Sequence, residues 1–149
     1  FEEMRGRDAF LEYAEVFGNW YGSSEDDVQL LLNEGHSVLL EIDWQGAALL
    51  RERRRDAISV FILPPSRDEL ERRLRGRQTD TEEVIRHRLS QALGDMAHWD
   101  EFDYVVINED IHVAAAELAE IVAGGCTENR SDAQEIKRRV ARILSDSTA

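Results

Sequence analysis

The stretch FLEYAEVFGNWYGSS, residues 10–24, stands apart from the rest of the chain. Phe10, Leu11, Tyr13, Val16 and Phe17 run into Gly18-Asn19, and Tyr21-Gly22 follows directly. Aromatic and β-branched residues around a glycine-bearing turn predict a small strand-and-turn element on the edge of a core. Beyond it lie three short apolar runs, Val38–Ile42, Val60–Leu63 and Tyr104–Ile107. Each is nearly continuous rather than alternating, which predicts strands buried on both faces.

Helical patterns alternate with these runs. Ser24 opens a helix with acids in its first turn and Gly35 as its stop. Trp44–Arg55 reads as a second helix, and Ser66 with Glu69 forms a capping-box pattern after Pro64-Pro65. Asp80 or Thr81 caps a long helix through Met96, and Asp110 caps another that ends at Gly124-Gly125. Residues 132–144 are amphipathic through Ile136, Val140 and Ile143. Strands alternating with helices predict an α/β fold with a parallel sheet and right-handed crossovers. A length of 149 residues predicts a single domain.

Composition removes several function classes. The balance of 18 basic against 31 acidic residues gives a net charge of −13, which argues against binding a nucleic-acid polymer. A mononucleotide needs only a local arginine cluster, so that class stays open. No apolar run approaches the ~20 residues of a membrane span. Cys126 is the only cysteine, which excludes an internal disulfide and fits a reducing compartment. The four histidines have no ligand-like spacing: His87 and His98 are eleven residues apart on one predicted helix, about 16 Å along its axis.

The chemistry-bearing residues sit at the ends of the apolar runs. Glu12, Tyr21 and Ser23 belong to the 10–24 element, and Glu41 and Asp43 to LLEIDWQG at 39–46. Acids at strand ends with a hydroxyl beside them suit a ligand that carries both donors and an acceptor. A guanine edge is one: its N1–H and amino group donate to a carboxylate, and its O6 accepts from a hydroxyl. In open α/β sheets ligands bind outside the carboxyl ends of strands, where Glu41 and Asp43 fall. A second cluster, Arg72, Arg73, Arg75 and Arg77, precedes a polar stretch beginning at Gly76, and Arg88 borders the apolar stripe of the next helix. Fixed cations of this kind stabilise charge spread over a transferring phosphoryl group.

Together these segments closely resemble guanylate kinase over nearly the whole chain. The resemblance implies a P-loop-kinase-like parallel sheet flanked by helices, with a small GMP-binding appendage and a helical lid. Residues 1–24 are then part of the GMP-binding region, 25–71 and 100–149 the core, and 72–99 the lid. It implies ATP-dependent phosphorylation of GMP to GDP with Mg2+, in the cytoplasm, as part of purine nucleotide metabolism. By residue, it implies that Glu12 and Asp43 read the guanine ring, Ser23 its O6, and Tyr21 the phosphate. Glu41, where aspartate is usual, is placed beside the phosphates and magnesium, its carboxylate one methylene further out. Arg73, Arg77 and Arg88 match lid arginines that close over the phosphates, while Arg75 has no match and reads as surface. Asn108 matches a residue of the ATP site, and no side chain is assigned as a direct metal ligand.

The family's glycine-rich phosphate loop is expected upstream of the matched part. No G-x-x-x-x-G-K-[ST] occurs here, and the single lysine is Lys137. The sequence is therefore expected to be a family member lacking its N-terminal segment and the P-loop strand, inactive as these residues alone. Two other readings are carried beside this one: a non-catalytic guanylate-kinase-like module that binds other proteins, and a kinase for a different purine monophosphate.

Overall fold

The computed structural model describes residues 1–16, 18–76 and 81–145. The chain falls into two compact units, Phe1–Ala57 and Ile58–Ala149.

The first unit opens with a short helix α1 (Glu2–Gly6), followed by the hairpin of β1 (Phe10–Val16) and β2 (Asn19–Ser24). The strands pair antiparallel, with Gly18 at a φ of 77° between them. That left-handed conformation is one glycine adopts without steric cost. A register irregularity lies between Phe10 and Glu12, after which Glu12 faces Ser23 and Ala14 faces Tyr21. Phe10 stacks on Phe1 and lies over Gly22, where a Cβ would stand 2.9 Å from its ring. Helix α2 (Glu25–Asn33) starts where expected: the Ser24 hydroxyl accepts from the amide of Asp27. Helix α3 (Trp44–Arg53) packs on β1 and buries Gly46 and Ala47 against a strand that buries Leu11 and Ala14.

Two expectations for this unit are corrected. Helix α3 ends at Arg53, not Arg55; Arg54 leaves helical geometry and its guanidinium grips Asp56 at 2.8 Å. The run Val38–Ile42 forms no strand. It is irregular, and Leu39 is 70% exposed. Branched apolar residues favour extended backbone, but a strand exists only through a ladder partner. Among the described residues, β1 pairs with β2, the strands Val60–Leu63 and Tyr104–Ile107 pair with each other, and the one further bridge joins Tyr104 to Arg130, not to this run.

The second unit is built on two parallel strands, β3 (Val60–Leu63) and β4 (Tyr104–Ile107), paired in register from Val60↔Tyr104 to Leu63↔Ile107. Between them run α4 (Arg67–Arg75), α5 (Glu82–Asp95) and a 3-10 turn at Met96–Glu101. After them come α6 (Ile111–Val122) and α7 (Gln134–Ser145). Strand β4 matches its apolar run. Val105 and Ile107 pack with Leu63, Met96, Ile136, Val140 and Ile143, while Val106 packs on the opposite face with Ala114 and Ile121. Burying each such side chain contributes roughly 1.5–3 kcal/mol. Strand β3 departs from the expectation of two buried faces, because Ile62 is 55% exposed.

The caps follow the sequence closely. Thr81 accepts from Val84 N–H, and Asp110 from the amides of His112 and Val113. At α4 only half of the expected capping box forms. Ser66 accepts from Glu69 N–H at 3.1 Å, but the Glu69 carboxylate turns to two arginines instead of back to Ser66.

Candidate functional site

In the first unit, alternation along a strand puts Glu12 and Ala14 of β1, with Tyr21 and Ser23 of β2, on one face of the hairpin. Glu12 is 4% exposed, an unusual setting for a carboxylate. Ser23 Oγ donates to its Oε1 at 2.6 Å. Its other oxygen, Oε2, lies against the first turn of α3: a Cβ built on Gly46 would stand 2.6 Å from it. The same Cβ would stand 3.3 Å from Oδ1 of Asp43. Asp43 is the N-cap of α3, its Oδ1 accepting from Gly46 N–H at 2.8 Å. Two carboxylates from separate elements thus meet at one glycine, and the Ser23 hydroxyl holds the far oxygen of one of them.

The other sequence candidates of this unit lie further out. Tyr21 shares the hairpin face with Ser23 but is 59% exposed. Glu41 is exposed, two residues before Asp43 in the irregular segment.

In the second unit, Arg73 links two of the expected positions. Its Nε donates to Glu69 Oε1 at 2.6 Å and its Nη2 to the backbone carbonyl of Asn108 at 2.8 Å. Asn108 directly follows β4, so the guanidinium is tied to that strand's carboxyl end. Arg72 grips both oxygens of Glu69 at 2.6 Å. Hydrogen bonds from Arg72 and then Arg73 hold the Glu69 carboxyl down at about 2. Arg75 clamps Glu82 and Glu71, which raises its own pKa further. That agrees with its reading as a surface residue. Arg88 lies half-buried on α5, three residues beyond the buried Ile85. Arg77 lies outside the described residues, as does the rest of the polar stretch after Gly76 up to residue 80.

Cys126 offers no nucleophile. Burial, then the neighbouring Glu120, push its thiol above the ordinary value, and the S–H faces Asn129 Oδ1 at 2.9 Å. No described helix is long and apolar enough to cross a membrane.

The sequence model described as guanylate kinase matches residues 1–124. The chain belongs to the guanylate kinase family. Over 146 residues it is 45% identical to the guanylate kinases of Salmonella typhimurium strain LT2 and Escherichia coli strain K12, covering 98% of this chain and 70% of each relative. The crystal structure of guanylate kinase from Anaplasma phagocytophilum superimposes with a TM-score of 0.69 at 31% identity, over 98% of this chain and 71% of that one.

Within a family of nucleotide kinases, the placement of Gly46 gains meaning. In the sequence it is simply the last residue of LLEIDWQG, with no side chain to suggest a task. The signal was present: Gly46 stands in the first turn of a predicted helix, three residues after Asp43, where glycine is a poor helix former and so points to a local packing reason.

Proposed function

We propose that this protein transfers the γ-phosphoryl group of ATP to GMP, giving ADP and GDP. The observation that carries this is the meeting of the buried Glu12 carboxylate with the Asp43 carboxylate at Gly46, with the Ser23 hydroxyl hydrogen-bonded to Glu12. Such a set complements guanine. Glu12 and Asp43 accept from N1–H and the amino group, and Ser23 donates to O6. A serine has one proton to give, and here it goes to Glu12. On binding, that proton turns to O6, and the lone pair it leaves on Glu12 takes a guanine N–H in exchange. Adenine presents an amino group where O6 would be and leaves these groups unmatched. Sites of this kind discriminate by ~10⁴–10⁵-fold.

Phosphoryl transfer needs positioning and cations more than covalent help. Tyr21 is assigned to the GMP phosphate, Arg73, Arg77 and Arg88 to the transferring group, and Asn108 to ATP. The bond of Arg73 to the Asn108 carbonyl supports a shared task for those two. Magnesium, which arrives with ATP, neutralises phosphate charge; it characteristically takes one or two carboxylates and completes its shell from phosphates and water. The exposed carboxylate of Glu41 fits that donor set. On this reading residues 1–149 form one guanylate-kinase-like domain, with 1–24 in the GMP region, 25–71 and 100–149 in the core, and 72–99 as lid. The setting is cytoplasmic purine metabolism.

The test is a coupled ADP-release assay on the full-length protein with GMP, AMP and IMP as acceptors. Turnover with GMP far above the other two is expected. Equal rates with AMP would refute the guanine assignment.

A further inference from the structure

We infer that Gly46 is a positioning residue for both guanine-facing carboxylates: its amide fixes Asp43, and its missing side chain leaves room for Glu12. This rests on the GMP-kinase reading above. Gly46 lies inside α3, where alanine would be the better helix former. Its backbone is not in the left-handed region, so nothing in φ demands glycine. The reason lies in its surroundings. A Cβ would meet Glu12 Oε2 at 2.6 Å, Asp43 Oδ1 at 3.3 Å and Glu12 Cδ at 3.4 Å. All three are side-chain atoms of the two carboxylates.

The nature of the obstruction decides the consequence. A methyl pressed against backbone would distort the fold. Here it meets the far end of a flexible glutamate, so the carboxylate moves and the chain does not. Glu12 is 4% exposed and tied to Ser23 at 2.6 Å, so it has little room to retreat without changing that bond too. The amide N–H that Gly46 donates to Asp43 is kept by any residue other than proline at position 46. A methyl there therefore displaces the Glu12 carboxylate and presses Asp43 Oδ1 by a few tenths of an ångström, while the amide that caps onto Asp43 is kept.

The experiment uses the full-length protein in four forms, wild type, Gly46→Ala, Glu12→Asp and the double variant, with Glu12→Gln as a control. GMP affinity is read by calorimetry, KM is read for GMP and ATP separately, and Tm by melting. Gly46→Ala is expected to weaken GMP about tenfold or more, the loss of one charged hydrogen bond. KM for ATP and the melting temperature should hold. Aspartate at position 12 withdraws the carboxylate from Gly46, so the alanine should add little on that background. A Gly46→Ala form that binds GMP like wild type overturns the inference, as does one whose penalty is equal on both backgrounds. If Gly46→Ala lowers Tm, the comparison on the Glu12→Asp background still decides. Failure of the parent reading looks different: wild type takes no GMP, or Glu12→Gln changes nothing.

Discussion

Replacing Glu12 by glutamine tests the base site most directly. The side chain keeps its length and shape, so packing beneath the hairpin is conserved. The carboxylate is 4% exposed and accepts from Ser23 at 2.6 Å through Oε1. In the glutamine form the amide oxygen can keep the Ser23 bond. The NH2 group then takes the place of Oε2, the oxygen beside Gly46. A ligand that donates N1–H and an amino group there meets a donor instead of an acceptor. Losing one charged hydrogen bond costs about 1.5–3 kcal/mol, so GMP affinity should fall roughly ten- to hundredfold. Fold stability should hold or rise, because a buried neutral amide escapes the desolvation penalty of a buried carboxylate. Calorimetry on the full-length protein, beside Arg73→Ala and Arg88→Ala, is the assay. Glu12→Gln should weaken GMP more than either arginine variant. Wild-type affinity in the glutamine form would refute the assignment of Glu12 to the base.

Asp43 carries two tasks that substitution can separate. Asparagine caps a helix about as well as aspartate, so Asp43→Asn should melt like wild type yet bind GMP more weakly; Asp43→Ala should in addition lose about 1 kcal/mol of stability by chemical denaturation. Gly22→Ala places a Cβ 2.9 Å from the Phe10 ring and 3.1 Å from the Glu12 carbonyl oxygen, and should destabilise the protein by roughly 1–3 kcal/mol. Glu69 should titrate at about 2 by carboxyl carbon NMR, down from 4.5, because Arg72 and Arg73 bind its charged form. A depressed carboxylate pKa supports the fold above pH 4.5 and loses that support as pH falls toward about 2. Glu69→Gln should remove that part of the acid dependence, and a midpoint near 4.5 in the wild type would show that the ion pairs do not persist in solution.

What could be read from the sequence follows the range of the forces involved. Caps are local, acting within four residues, and Ser24, Ser66, Thr81 and Asp110 all accept from amides two or three positions on. The stripe of Ile136, Val140 and Ile143 is a helical period, and it is buried. Strand β4 was legible because both its faces find cover. Val38–Ile42 reads just as apolar, but a ladder is a property of two segments, and pattern within one says nothing of the partner. The site divides along the same line. Glu12, Ser23 and Asp43 were legible as types of residue, because guanine needs paired acceptors and a donor. Their meeting point was not, since it depends on a methyl group that α3 lacks. Arg73 makes the same point from the opposite side. Its pair with Glu69 is a four-residue spacing any helix displays, whereas its bond to the Asn108 carbonyl spans 35 residues and arises only once β4 is paired with β3. Local spacing alone would have left Arg73 in a solvated ion pair, as it does Arg75. The long-range bond distinguishes the two, and it ties Arg73 to the strand end where an α/β sheet offers its ligands a place.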